Sequence, residues 1–189
     1  IKNMLLQIFL IYILLTLIIF IILNIGNIRL FNSLNLSMTI ISNGGFLPSN
    51  SLNQIFLNTN SIILATVLAI PTLNFFFFFN IFNKKKIINY HQEDLFIVLF
   101  VTILSLIIFF LLNEQNLSNI VINILSSLSN SGITLTTKVD ETLLFIILCI
   151  IGGSLISNAS GIKFLRIYIM LKTAAMEIIK LVRPNNVFN

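Results

Sequence analysis

Long apolar runs separated by short polar breaks organise the whole chain, and the breaks recur. From Met4 to Leu23 the run is uncharged and interrupted only by Gln7. At 1.5 Å per residue that is enough to cross roughly 30 Å of hydrocarbon. The pattern predicts a spanning helix over 4–25, a polar break from Asn27 to Asn35, and a shorter apolar piece over 30–41. A piece below the roughly 17 residues a span requires reads as a half-helix that enters the membrane and returns. A glycine turn follows at 39–46, then a loop around Pro48 to Ser51 and a second spanning helix over 54–82, closed by Lys84, Lys85 and Lys86. The order then restarts. Glu93 and Asp94 head an apolar helix over 93–112, Asn113 to Asn116 break it, Leu117 to Leu128 form a second short piece, and a turn at 126–134 leads to a final helix over 141–182.

The unit is therefore helix, pore half-helix, glycine turn, helix, occurring twice, with residues 1–86 as one copy and 87–189 as the other. The fold class expected is all-α membrane protein. Ser42-Asn43-Gly44-Gly45-Phe46 answers Ser129-Asn130-Ser131-Gly132-Ile133, with Gly45 and Gly132 lying 87 positions apart (132 − 45). A fixed offset of this kind marks a repeat architecture. Non-helical backbone at membrane depth is tolerated where it is buried in protein or lines a water-filled path. A repeated polar turn thus points to a permeation pathway, with glycine permitting backbone angles that a β-carbon forbids. A single turn of this composition would more often be an ordinary external loop; its repetition behind a half-helix favours the pathway.

Composition agrees with the class: 57% of residues are hydrophobic, 9% are charged and mean hydropathy is +1.04. Lys2, Lys84 to Lys86, Lys172, Lys180 and Arg183 fall on one side if each unit crosses twice, and the positive-inside rule makes that side cytoplasmic. The turns then open outward with Arg29, Glu114, Lys138, Asp140 and Glu141. Cys149 is a lone thiol in an apolar run, and His91, next to Gln92, Glu93 and Asp94 at the foot of a helix, reads as a surface or capping residue rather than a metal ligand, so catalytic, redox and transition-metal chemistry have no constellation to rest on. No enzyme is expected, no cofactor is implied in this chain, and no phosphate-binding glycine loop is present. Phe75 to Phe79 covers every face of a helix and reads as lipid contact and packing. The chain opens on Ile1 with its first apolar run already under way, which suggests a piece of a longer protein.

The last helix carries a second anomaly. Gly152-Gly153-Ser154, Ser157 to Gly161, Lys163 and Arg166 interrupt a stretch otherwise apolar from Leu143 to Leu171. Small residues there could serve close helix packing, and the two cations could snorkel to the interface. Three residues apart, however, Lys163 and Arg166 are expected on one helix face, and a cation at that depth ordinarily faces an ion path or gate.

Ile151 to Ser154, Ser157 to Gly161, Ile162-Lys163-Phe164-Leu165-Arg166-Ile167, Leu171-Lys172 and Arg183-Pro184-Asn185 together resemble the end of the TrkH/KtrB family of potassium uptake proteins. Thr39 to Phe46 with Pro48 resembles the family's third pore turn, and Ser129 to Thr134 its fourth. The resemblance implies a channel-like cation transporter of four helix–pore–helix units, of which this chain carries the third and fourth. It implies that Ser42 to Phe46 and Ser129 to Ile133 supply backbone carbonyls to potassium, with Gly45 and Gly132 as filter glycines. It further implies a pore gate of Arg166, Lys163, Gly152, Gly153 and Gly161, in which the deep arginine is a positive barrier to cations. In the family a glycine-bearing loop interrupts the second helix of the third unit. Ala65 to Pro71 has no glycine here, so Ala69 and Pro71 would do any bending.

By the same resemblance the expected partners are a second copy in a homodimer, a cytoplasmic nucleotide-binding regulatory subunit of TrkA/KtrA type, and membrane lipids, with no nucleic acid. The expected location is the bacterial plasma membrane, crossed several times. The function implied is potassium uptake. Its alternatives are a sodium-permeable relative and a non-transporting scaffold subunit of a larger membrane complex.

Overall fold

A computed structural model of the chain describes residues 2–48, 61–82, 92–112, 117–133 and 142–182. Gln54 to Asn60, Lys84 to Lys86, His91, Glu114, Lys138, Asp140, Glu141 and Arg183 to Asn185 lie outside those residues. The described elements are all helical: α1 (Lys2–Ile25), α2 (Leu30–Ser42), α3 (Ser61–Ala69), a 3₁₀ turn (Ile70–Thr72), α4 (Phe75–Phe82), α5 (Gln92–Leu112), α6 (Leu117–Ser129), α7 (Thr142–Ile151) and α8 (Phe164–Val182).

Two of them are long and apolar enough to cross a membrane, within Leu5–Ile25 of α1 and Gln92–Phe110 of α5. Each buries a single stripe. On α1 it is Leu15, Ile19 and Leu23; on α5 it is Asp94, Ile97, Val101, Ser105 and Ile108. Steps of three and four residues keep such a stripe on one helix face. The remaining faces expose Phe9, Leu10, Leu17 and Ile21 on α1 and Phe96, Leu99, Ile103 and Phe110 on α5. A surface this apolar is costly in water and neutral against lipid tails, so the fold is that of an all-α membrane protein.

Helices α2 and α6 are 13 residues each, about 20 Å long at 1.5 Å per residue, and start and end 87 positions apart. Both are amphipathic, and α6 is buried from Ile122 through Ser129. It is the hub of the bundle, packed against α3, α5, α7 and the 3₁₀ turn, while α1 packs against α2 and α3. At the start of the first hairpin, left-handed Asn27 (φ 60°) ends α1. The Ile28 amide returns to the Leu23 carbonyl at 3.3 Å, and Ser33 Oγ donates to Asn24 Oδ1 at 2.9 Å. The first bond satisfies a carbonyl that the helix end leaves open, and the second ties the Asn24 side chain to the start of α2.

Two expected helices are broken. The helix expected over 54–82 stops at Ala69, turns through Ile70–Thr72 and restarts at Phe75. Pro71 has no amide to continue the ladder, and Asn74 Oδ1 caps α4 by accepting from the Phe76 amide at 2.9 Å. The helix expected over 141–182 is likewise two, α7 and α8, separated by residues 152–163. There Gly152 (φ 71°), Gly161 (φ 94°) and Lys163 (φ 81°) take left-handed backbone, which a continuous right-handed helix cannot contain.

Candidate functional site: two matched turns above two broken helices

The polar turns form because each short helix ends on an asparagine that tolerates left-handed backbone. Asn43 has φ 52° and Asn130 φ 59°, and two residues on Gly45 and Gly132 both have φ 68°. The Gly44 amide donates to the Thr39 carbonyl at 3.0 Å, and its counterpart Ser131 to Ser126 at 3.1 Å. These are the same six-residue closure, 87 positions apart. The turns also meet. A β-carbon on Gly132 would lie 3.7 Å from the Gly45 Cα, and one on Gly45 would lie 3.3 Å from the Ser131 carbonyl oxygen. Both glycines are exposed at this junction.

Beyond the backbone the copies differ. Ser126 Oγ and Ser131 Oγ are hydrogen-bonded at 3.1 Å, Ser129 Oγ donates to the Ser126 carbonyl and accepts from the Ser131 amide, and all three serines are buried. In the first turn the corresponding positions are Thr39, Ser42 and Gly44. Thr39 and Ser42 bond only to helix carbonyls, and Gly44 has no hydroxyl. The residue after the glycine diverges too: Phe46 is 76% exposed and Ile133 is fully buried.

Both turn asparagines reach the second broken helix with their side chains, Asn43 within the break and Asn130 at the end of α7. Asn43 Nδ2 donates to the Asn158 carbonyl at 2.8 Å, and Asn130 Nδ2 to the Cys149 carbonyl at 3.1 Å. They were expected only as carbonyl donors to the filter. Their recurrence at one offset was the available signal for this anchoring role.

Residues 152–163 leave α7 and return to it. The Ile162 and Lys163 amides bond the Ile150 and Ile151 carbonyls at 2.9 and 3.0 Å. The neck is narrow enough that a β-carbon on Gly161 would sit 2.9 Å from the Cys149 and Ile150 oxygens and one on Gly152 would strike the Ser160 oxygen. Gly153 meets the first break, where its β-carbon would lie 2.6 Å from the Thr72 oxygen. Gly152, Gly153 and Gly161 thus close and seat a loop, a role in backbone packing. The two breaks are stitched by three backbone bonds: Ser154 amide to Thr72, Ala159 amide to Pro71, and Phe75 amide to Ile156, at 2.9, 3.2 and 3.0 Å.

Lys163 and Arg166 do not share a helix face. Lys163 precedes α8 in left-handed backbone, and its ammonium turns into the loop, donating to the Ser157 carbonyl and hydroxyl and to the Ala159 carbonyl. It neutralises carbonyls that the broken helix leaves without amide partners. Arg166, inside α8, is exposed.

Glu93 and Asp94 stand at the head of α5, and nothing in the local sequence pattern signals a contact for either. Both reach the breaks: Asp94 Oδ1 accepts from the Asn74 amide at 2.9 Å, and Glu93 Oε1 from the Leu155 amide at 2.8 Å. Beside Glu93 a cavity of about 530 Å³, lined by Phe96, Phe164, Leu165 and Tyr168, opens between the heads of α5 and α8. Among the described residues no group of His, Cys, Asp and Glu could hold a metal ion.

Paired half-helices ending in apposed glycine turns, with a broken second helix in each repeat, define an all-α membrane-protein fold. Among solved structures the chain is similar to the potassium transporter TrkH from Vibrio parahaemolyticus, with a TM-score of 0.82 over 96% of this chain and 22% sequence identity. The chain spans 42% of the length of that protein. No protein-family model matches the sequence, and no curated protein does.

Proposed function

We propose that this chain contributes two of the pore turns of a membrane protein that passes potassium ions down their electrochemical gradient. The observation that carries the reading is the apposition of Gly45 and Gly132 in turns of identical handedness, each behind a half-helix too short to span. Carbonyls gathered in such turns can replace the hydration shell of a cation. The fold it shares with a potassium transporter supports the same reading. Two units leave a ring half built, so the remaining turns come from further sequence or a further chain, and those turns decide between potassium and sodium.

In this reading Arg166 is the positive barrier below the filter, and the breaks beneath the turns form the constriction. A homodimer, a nucleotide-binding regulatory subunit on the cytoplasmic face and a bacterial plasma-membrane location belong to the same proposal. Uptake of ⁸⁶Rb⁺ by proteoliposomes holding the full-length protein tests it. Flux abolished by Gly132→Asp with insertion preserved is the expected result. Flux equal to that of protein-free liposomes in the unsubstituted, folded protein contradicts transport and favours a scaffold.

A further inference from the structure

The most informative polar contacts outside the turns are those of adjacent carboxylates on α5. Asp94 is 2% exposed, and its Oδ1 holds the amide of Asn74, where the first break ends. Glu93 holds the amide of Leu155, inside the second break. The breaks are bonded to each other through Ser154, Ala159 and Phe75, the second break is bonded to the first turn through Asn43, and the end of α7 that leads into it is bonded to the second turn through Asn130. The result is a continuous hydrogen-bonded path from the head of α5 to both turns.

We propose that Glu93 and Asp94 act as a carboxylate clamp that fixes the two helix breaks as one body beneath the turns. They are positioning residues for the proposed ion path, and the role rests on that reading only for its effect on flux. Two consecutive residues on a helix point about 100° apart, which lets neighbouring carboxylates serve two different segments. A hydrogen bond from an amide to an ionised carboxylate is roughly twice as strong as a neutral one. Each acid therefore replaces a bond that the broken helix cannot make for itself. The cavity beside Glu93 opens between the heads of α5 and α8, where Phe100 of α5 meets Phe164 of α8 with ring centroids 5.9 Å apart, so the clamp adds polar bonds to an aromatic contact.

The test is amide hydrogen exchange of the full-length protein in lipid nanodiscs, followed over 70–76 and 152–163, with ⁸⁶Rb⁺ uptake measured on the same preparations. Asp94→Ala is expected to speed exchange about 10- to 100-fold, the factor for a lost hydrogen bond to a charged group, in both segments, although the Asn74 amide that it holds lies in the first. Glu93→Ala is expected to do the reverse, loosening 70–76 from the far side. Asp94→Asn and Glu93→Gln keep an acceptor oxygen in place and are expected to restore most of the protection, which guards against variants that merely fail to fold. Exchange confined to the segment each acid touches would overturn the clamp. Coupled exchange in a protein that carries no Rb⁺ keeps the clamp and overturns the transport reading instead.

Discussion

Left-handed backbone at Asn43, Gly45, Asn130 and Gly132 is the residue-scale feature on which the site depends. A β-carbon in that region costs roughly 1–2 kcal/mol. At Gly132 it finds ordinary contact distance to Gly45, whereas at Gly45 it presses on the Ser131 carbonyl. Gly45→Ala is therefore expected to slow ⁸⁶Rb⁺ uptake more than Gly132→Ala, and equal rates would show that spacing at the junction is irrelevant. The serine network is specific to the second turn. Removing the Ser126 hydroxyl leaves Ser131 Oγ buried without its partner, which costs about 1–3 kcal/mol. Ser126→Ala should thus lower the melting temperature in detergent, and Thr39→Ala at the equivalent position should lower it less.

At the scale of elements, the apolar runs made the helices legible. Two 13-residue half-helices followed by polar turns could be read from the residues because hydrophobic spacing and asparagine–glycine chemistry are local. The broken helices could not be read that way. Leu143 to Ile151 and Phe164 to Leu171 are apolar on both sides of the loop, and only Gly152, Gly161 and Lys163 together, each in left-handed backbone, disclose that the chain leaves the helix and returns. Pro71 marked the first break, yet its carbonyl and that of Thr72 are held by the second break, 88 and 82 positions away (159 − 71 and 154 − 72). A bond of that range has no local pattern. The same holds for Glu93 and Asp94, whose position looked like an ordinary helix start. Gly161→Ala should be among the most damaging single substitutions, since the added carbon meets two backbone oxygens at 2.9 Å and takes φ 94°. Its measurement is the yield of monodisperse protein after extraction. A wild-type yield and melting temperature would contradict the narrow neck.

In the molecule as a whole, two repeats bring their turns together above a floor made from their own broken helices. The turns are tied to that floor by Asn43 and Asn130, and the floor is tied to α5 by two carboxylates. Asn130→Leu removes a side-chain anchor of the second turn and should reduce Rb⁺ uptake with the helices intact by circular dichroism, because the half-helix itself does not depend on that bond. The most direct test is a crystal structure of the full-length protein grown in rubidium chloride, with data collected at the rubidium absorption edge. The account predicts anomalous density beside the Gly45 and Gly132 carbonyls that disappears in Gly132→Asp. Turns in the same apposed conformation with no rubidium between them, at salt concentrations that saturate ordinary potassium sites, would contradict it.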